Sequence, residues 1–356
     1  MTIILTILVF GLIITLHELG HFTLAKLFGV RVNEFAFGMG PKLFSRQKGE
    51  TRYSIRLLPI GGYVAMEGED AEAEGEVRPS DGRSFTDKKT WQRFFILSAG
   101  AAMNIVLGFV ILLFLSSQME LMGTNVVANT VPTAAVSQYI KQNDRIVKVN
   151  GHSTGSYNDL VFQMVRDADG MVDLEIIRGA NPRATFFDKN QGERQTLSQV
   201  PFVLNDIGDG HKTVQLDMTF FGVPNTFLGT LGYSVNWTVS VVKQVWFSLV
   251  DILSGRYGLN EISGPVGTAA VIEQASSYGL DSFLMLLAFI TINVGVFNLL
   301  PIPALDGGRL FFLLVEMIFR KPVPQKYETY IHAAGMILLL GFVAVVTLND
   351  ILKLIR

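Results

Sequence analysis

The sequence comprises 356 residues, of which 49% are hydrophobic and only 17% are charged, whereas charged residues make up about 25% of a typical soluble protein. Its mean hydropathy of +0.37 excludes a chain that is disordered throughout, because disordered chains are polar and rich in charge. The net charge of −2 offers no overall basic surface for nucleic acid, and the absence of cysteine excludes disulfides and thiolate metal sites. Any metal ion must therefore be held by His, Asp or Glu.

Four stretches with few charges are long enough to cross a bilayer as helices, because the apolar core of a membrane requires about 20 residues. The predicted spans are residues 2–27, 92–118, 280–301 and 329–349. A signal peptide is the alternative for the start of the chain, but that segment lacks a basic beginning and a small-residue cleavage site. Lys and Arg are concentrated between the first two spans, which predicts that this loop is cytoplasmic and that both termini are extracytoplasmic.

The first predicted span contains the polar motif HELGH at residues 17–21. Residues four positions apart share one face of a helix, so His17 and His21 can bind the same ion. Glu18 lies beside them, within reach of a water molecule at that ion, and can act as a general base. A chance match is the alternative, but ionisable side chains within a membrane span are costly and are usually functional. The motif therefore predicts a metal site inside the membrane.

The loop after the first span contains two segments interrupted by glycine, residues 35–44 and 52–64, which are typical of short strands. Glycine within a strand often marks a bulge or a close approach of two backbones. We expect a membrane-associated β region over residues 31–66, and little regular structure in the acidic segment that follows, residues 66–88.

Residues 120–222, after the second span, form a polar stretch of the size of a small domain. Asn150 followed by Gly151 predicts a hairpin turn. Alternating polarity predicts further elements: strands at 145–151, 172–179 and 213–220, a helix at 157–167 and a long loop at 180–212. The segment VPTAAVSQYIKQNDRIVKVNG, residues 131–151, resembles a PDZ domain in which Asn143 replaces the usual glycine. Another small β-rich domain is the alternative.

Residues 218–242 are uncharged and could form a fifth span. They contain several Asn, Ser and Thr residues, and apolar residues recur at three- and four-residue steps from Leu231 to Leu249. This pattern favours an amphipathic helix on the membrane surface. We therefore expect an interfacial helix and connector over residues 223–279.

The segment NLLPIPALDGGRLFF, residues 298–312, ends the third span. Its two prolines must interrupt or end a helix, and its two adjacent glycines permit a tight turn. Asp306 follows the prolines and precedes the glycines, and it is expected on the same side of the membrane as HELGH. Capping of a following helix is the alternative role for Asp306. As a third ligand it would complete, with His17 and His21, the three protein ligands that a catalytic zinc ion requires.

These motifs together resemble the site-2 protease family of intramembrane zinc metalloproteases, and in particular its RseP-like bacterial branch with one PDZ domain. HELGH is similar to the family's HExxH, and NLLPIPALDGG to its NxxPxPxLDGG. Three further segments are similar to other family elements: PIGGYV at 59–64, SAGAAMN at 98–104, with Ala101 in place of a proline, and ISGPVG at 262–267. The resemblance implies a polytopic α-helical membrane protein with about four spans, a membrane-associated β-hairpin region and an inserted β-rich PDZ-like domain.

The resemblance also implies an intramembrane zinc endopeptidase of the bacterial inner membrane, with one Zn²⁺ per chain, acting in regulated intramembrane proteolysis. Its implied substrate is a single-span membrane protein, such as a pre-trimmed anti-sigma factor or a signal-peptide remnant. The PDZ-like domain would bind a peptide C-terminus or exclude bulky ectodomains, and no nucleic acid is expected. The expected substrate-binding residues are Asn298, Pro301, Gly61, Gly62 and Tyr63.

The expected organisation is a membrane core formed by residues 1–119 and 280–356, with the PDZ-like domain at 120–222 and the interfacial segment at 223–279. A metal transporter is one alternative function, although it would be expected to show polar residues at several depths of the membrane. A non-catalytic scaffold is another, although it would not require Glu18. His332, early in the fourth span, is expected to have a packing or interfacial role rather than a metal role.

Overall fold

The computed structural model describes residues 2–69, 81–167, 169–181, 192–208, 211–256, 262–321 and 323–355. The chain forms two compact units. The membrane unit consists of Met1–Gly108 and Leu249–Arg356, and the β unit of Phe109–Ser248.

The secondary structure elements are named here in chain order. The helices are α1 (Thr2–Leu27), α2 (Thr90–Ser117), α3 (Tyr157–Val165), α4 (Phe227–Leu253), α5 (Pro265–Ser277), α6 (Leu280–Leu299), α7 (Asp306–Phe319) and α8 (Gln325–Ile355). The strands are β1 (Val32–Lys48), β2 (Thr51–Met66), β3 (Leu121–Thr130), β4 (Arg145–Val149), β5 (His152–Ser153), β6 (Met171–Arg178), β7 (Glu193–Pro201), β8 (Leu204–Gly208), β9 (His211–Val214) and β10 (Met218–Pro224).

Four helices in the described part of the chain are long and apolar enough to cross a membrane. They are α1, α2, α6 and the segment Lys326–Lys353 of α8. Each of them coincides with one of the four predicted spans, so the helices expected there are confirmed. The uncharged segment considered as a fifth span, residues 218–242, begins in β10 and continues into α4, and α4 is not among these four helices.

Small residues allow three of the spans to pack closely in the membrane unit. A Cβ atom on Gly20 of α1 would lie 2.8 Å from the carbonyl carbon of Ala99 in α2. Likewise, a Cβ on Gly295 of α6 would lie 2.8 Å from the carbonyl oxygen of Ala101. Such small-residue contacts bring helix backbones together where lipid offers no hydrophobic driving force. The middle part of α2 therefore lies against both α1 and α6.

The predicted β region is a long, bent antiparallel pair rather than two short strands. Residues 32–37 of β1 pair with residues 62–66 of β2 on one side and with residues 52–55 on the other. The register shifts repeatedly along the pair, as expected for strands that bend at bulges. β2 also packs against α1. This arrangement places residues 62–66 at an outer edge of the β region.

The β unit is built on a sheet with the strand order β10-β3-β4-β6-β7, and β5 pairs with β4. Its core includes Ile146, Leu160, Met164 and Leu174, all fully buried. Two predictions are confirmed here. Asn150 and Gly151 have φ angles of 47° and 79° and form the tight turn between β4 and β5, and α3 lies within the predicted helix.

Two predictions for this unit are wrong. Residues 180–212 were expected to form a loop, but their described part contains β7, β8 and the start of β9. The strand pattern is hidden in the sequence because β7 is largely exposed and carries polar residues on both faces. The single strand expected at 213–220 is divided between two strands. β9, which ends at Val214, pairs with β8, whereas β10, which begins at Met218, pairs with β3. Residues 182–191 lie outside the described part.

α4 packs against α3 within the β unit. The Ser240 hydroxyl hydrogen-bonds with that of Ser156 at 2.6 Å, and Lys243 Nζ donates to the buried carboxylate of Asp159 at 3.0 Å. The polar side chains of this helix are therefore partly satisfied by its own unit. Its expected position on the membrane surface stays a prediction.

The acidic segment after β2 holds more structure than expected. Residues 70–80 lie outside the described part, but Phe85–Asp87 form a turn of 3₁₀ helix. Phe85 is buried in a cluster with Val64 and Leu97. The expectation of little regular structure over residues 66–88 is therefore wrong at its C-terminal end, because Phe85 anchors that end to the membrane unit.

Candidate metal centre

Three predicted ligand atoms lie close together in the membrane unit. Nε2 of His17 is 3.2 Å from Nε2 of His21, on the next turn of α1. Oδ2 of Asp306 lies 3.0 Å from the first of these atoms and 3.2 Å from the second. Both histidines are buried. These separations are small enough for one small cation to contact all three atoms.

Asp306 reaches the histidines through a break between two helices. α6 ends at Leu299, and the chain turns back before α7 begins at Asp306. The adjacent Gly307 is essential to this turn, because a Cβ there would lie 2.6 Å from the carbonyl carbons of Leu299 and Leu300. Leu305 occupies the N-cap position of α7. The alternative role of Asp306 as a helix N-cap is therefore wrong.

The second nitrogen of each histidine is directed towards α2. Nδ1 of His21 lies 2.8 Å from the carbonyl oxygen of Ile96. Because a carbonyl only accepts hydrogen bonds, Nδ1 carries the proton and Nε2 presents a lone pair to the cluster. Nδ1 of His17 lies 3.4 Å from the side-chain amide of the buried Asn104. Such outer hydrogen bonds are a regular feature of metal-binding histidines.

The space between the ligand atoms is kept open by Gly100 of α2. A Cβ atom at this position would lie 2.7 Å from Nε2 of His17 and closer still to Nε2 of His21. The backbone of α2 therefore borders a recess that a side chain would fill. Two imidazole nitrogens and one carboxylate oxygen are a donor set that catalytic zinc uses, with a fourth position left for water or substrate. The residues present thus fit a zinc ion.

Glu18 lines a cavity beside this cluster. The cavity has a volume of about 840 Å³ and is also bordered by His21, Asp306 and Tyr63. The carboxylate of Glu18 is half-buried and accepts a hydrogen bond from the backbone of Val64 in β2. Two ion pairs line other parts of the same cavity, Arg93 with Glu316 and Arg309 with Glu69. The carboxylate of Glu18, next to the ligand atoms, is therefore accessible from the cavity to water and to a peptide substrate.

The structure separates the five expected substrate-binding residues into two groups. Gly61, Gly62 and Tyr63 lie in β2, where Tyr63 lines the cavity and Gly62 packs against the side chain of Glu18. Asn298 is half-buried in the last turn of α6, and Pro301 is exposed in the break that follows. These last two residues are not among the described residues that line the cavity.

One contact near the centre was not anticipated from the sequence. Nδ1 of His332, in α8, accepts a hydrogen bond from the backbone N–H of Ala304 at 3.0 Å. Its only signal in the sequence is its position as a polar residue in an otherwise apolar span.

Comparison with known proteins identifies the family. Residues 5–342 match the model of peptidase family M50. A protein of Clostridium perfringens named as a zinc metalloprotease is 37% identical over 355 residues, which cover 99% of each chain. A Fusobacterium nucleatum protein with the same type of name is 35% identical over 359 residues, again covering 99% of each chain. The regulator of sigma-W protease RasP of Bacillus subtilis is 29% identical over 431 aligned residues and 99% of each chain.

These matches extend over both motifs from which the cluster residues come. They favour a protease over the transporter and scaffold alternatives. The four apolar helices agree with a protein embedded in a membrane. The chain belongs to peptidase family M50, the site-2 proteases, and is a zinc metalloprotease.

Proposed function

We propose that this protein is an intramembrane endopeptidase that hydrolyses peptide bonds within or near the transmembrane segments of single-span proteins. The observation that carries the proposal is the cluster of His17, His21 and Asp306, which joins a membrane span to the turn after another span beside a cavity. Ionisable side chains at such a depth are costly unless they serve a function.

In this proposal His17, His21 and Asp306 hold the zinc ion, and Glu18 is the general base. Zinc bound there supplies a Lewis acid that polarises the scissile carbonyl and activates water. Glu18 removes a proton from the attacking water and delivers it to the leaving amine. The Ile96 carbonyl holds the His21 ring with Nε2 directed at the cluster. The residues assigned to these steps belong either to the cluster or to the lining of the adjacent cavity.

The substrate binds as an extended strand along the outer edge of β2. A helical segment has its backbone groups hydrogen-bonded internally, so it must unwind to present a peptide bond. Residues 62–66 have β1 on one side, and Tyr63, Val64 and Met66 of this edge line the cavity. Main-chain hydrogen bonds along a sheet edge bind peptides without strong sequence preference. We assign Gly61, Gly62 and Tyr63 to this contact. Asn298 and Pro301 are proposed to contact the substrate near the end of α6.

The β region also contacts the lipid bilayer in this proposal. Large apolar side chains are exposed around the bend of the β1–β2 pair: Met39, Leu43, Phe44, Ile55, Leu57 and Leu58. Contiguous exposed apolar surface marks an interaction site. Basic residues in the same region, including Lys42 and Arg46, suit the anionic cytoplasmic leaflet. The β1–β2 pair therefore enters the membrane interface from the cytoplasmic side.

We place the protein in the inner membrane. The distribution of Lys and Arg supports an orientation in which the termini and residues 120–222 are extracytoplasmic. The name of the Bacillus subtilis relative, a regulator of sigma-W protease, supports a role in regulated intramembrane proteolysis. We therefore propose a pre-trimmed anti-sigma factor or a signal-peptide remnant as the substrate. The domain at 120–222 is proposed to be PDZ-like and to bind a peptide C-terminus.

A cleavage assay with the full chain in detergent tests the proposal. Tagged single-span substrates lacking their ectodomains are offered to the wild type and to Glu18→Gln, with and without a zinc chelator. Glu273→Gln is the matched control, because it changes an exposed glutamate in α5. We expect cleavage inside the apolar segment by the wild type and the control, and its loss in Glu18→Gln and with the chelator. Full cleavage by Glu18→Gln would contradict the assignment.

A further inference from the structure

The turn that carries Asp306 contains a backbone conformation that its sequence does not favour. Ala304, two residues before Asp306, has a φ angle of 81°. Side chains with a Cβ atom rarely adopt this left-handed conformation, because the Cβ atom crowds the following carbonyl oxygen. The turn therefore needs contacts from outside itself to hold this geometry.

Such contacts come from α8. The backbone N–H of Ala304 donates a hydrogen bond to Nδ1 of His332 at 3.0 Å. One turn further along the helix, a Cβ atom on Gly335 would lie 2.9 Å from the carbonyl carbon and oxygen of Pro303. The helix backbone thus touches the turn directly, and His332 accepts the hydrogen bond of its central N–H group.

The same histidine also contacts the start of α7. A Cβ on Gly308 would lie 3.1 Å from Cε1 of His332, and the rings of His332 and Phe312 are 5.8 Å apart. His332 is therefore placed against both ends of the segment that begins with Ala304 and continues past Asp306.

We propose that His332 is a positioning residue that holds the Ala304 turn and thereby directs Asp306 towards His17 and His21. The inference rests on the proposed metal site, and it makes the geometry of the third ligand depend on the fourth span. Displacement of α8 from the turn would release Asp306 while leaving the two histidines of α1 in place.

Two substitutions at His332 separate its hydrogen bond from its bulk. His332→Leu removes the acceptor, whereas His332→Asn keeps one, since the side-chain oxygen of asparagine can occupy the position of Nδ1. Zinc affinity is measured on the full chain in detergent by competition with a chromophoric chelator. We expect His332→Leu to weaken zinc binding at least tenfold and His332→Asn to restore most of it.

Loading the protein with Co²⁺ provides a measurement that would not change if His332 only stabilised the packing of α8. The ligand-field spectrum of protein loaded with Co²⁺ reports the ligand set around the ion. We expect an altered spectrum for His332→Leu and a spectrum like that of the wild type for His332→Asn. A fall in melting temperature with unchanged zinc affinity and spectrum would show ordinary helix packing and overturn the proposal, as would failure of His332→Asn to restore binding.

A steric variant tests the same contact if His332→Leu does not fold. Gly335→Ala pushes α8 away from Pro303 and should also weaken zinc binding. Gly341→Ala is its matched control, because among the described residues no atom beyond its own stretch of α8 lies within 4 Å of a Cβ at this position. Equal zinc affinity in Gly335→Ala and Gly341→Ala would overturn the proposal.

Asp306→Asn distinguishes failure of this inference from failure of the proposed site. If Asp306→Asn keeps the zinc affinity of the wild type, the ligand assignment is wrong and the inference fails with it. If Asp306→Asn loses zinc but His332→Leu does not, the metal site stands and only the positioning role is wrong.

Discussion

Gly100 of α2 lies so close to His21 of α1 that a methyl group on it would overlap Nε2 of the histidine, and would lie 2.7 Å from Nε2 of His17. The second span thus contributes an open space to the metal centre. Gly100→Ala should fill this space, and we expect zinc affinity to fall at least tenfold with a matching loss of proteolysis. Titration of the metal-free protein with zinc measures the effect.

The helix itself should tolerate this change, since alanine is the best helix former and glycine the poorest apart from proline. We therefore expect the helical content of Gly100→Ala in circular dichroism to equal that of the wild type. Gly341→Ala, a glycine substitution in a span with open surroundings, is the control for zinc binding. Wild-type zinc affinity in Gly100→Ala would show that the ion lies elsewhere.

The sequence predicts those parts of the centre that depend on local geometry. His17 and His21 are four residues apart on one helix, so their shared face follows from helix periodicity alone. Asp306 could be inferred because few acidic residues lie near the ends of the spans. The spans themselves followed from hydropathy, since a helix must satisfy its own backbone groups in lipid.

The contacts that complete the centre could not be predicted in this way. Gly100, Asn104 and His332 reach it through the packing of α2 and α8, and no sequence spacing relates these residues to α1. In the β unit, β7 was missed because an exposed strand with polar residues on both faces shows little alternation in hydrophobicity.

Asn104 leads to a second prediction about the metal centre. Its side chain is fully buried, and its Oδ1 atom has no hydrogen-bond partner among the described residues. The nitrogen and oxygen of a side-chain amide are interchangeable in position. The amide nitrogen now lies 3.4 Å from Nδ1 of His17, and turning the amide would place Oδ1 there instead. Oδ1 would then accept a hydrogen bond from the protonated Nδ1, which leaves Nε2 of His17 free to bind the metal. Asn104→Ala should therefore weaken zinc binding by about 10- to 100-fold.

Asn293→Ala is the control for this substitution. Asn293 also lies in a span, but its side chain donates to the Phe289 carbonyl within α6 at 2.8 Å. We expect its zinc affinity, measured by chelator competition, to match that of the wild type. Equal affinities for Asn104→Ala and Asn293→Ala would mean that the His17 ring is oriented by other contacts.

A third prediction concerns the pH dependence of stability in the β region. Burial raises the pKa of Glu34, but hydrogen bonds from Ser54, Arg56 and Tyr63 lower it by more, so its pKa lies below the usual value of 4.5. The Ser54 hydroxyl donates at 2.5 Å and the Arg56 guanidinium at 3.0 Å. The folded state therefore binds the proton less readily than the unfolded state, and the carboxylate stabilises the fold above about pH 4.5.

This stabilisation is lost as the pH falls through the lowered pKa, because both states are then protonated. Glu34→Gln removes the ionisable group, so we expect it to lower the melting temperature by a few degrees at pH 7. The difference from the wild type should shrink steadily below about pH 4.5. Glu273→Gln removes an exposed glutamate outside the β region and should show no such convergence. A difference between Glu34→Gln and the wild type that stays constant from pH 7 to pH 3 would mean that the contacts of Glu34 act through packing, because a charge effect must vanish once the carboxyl group is protonated.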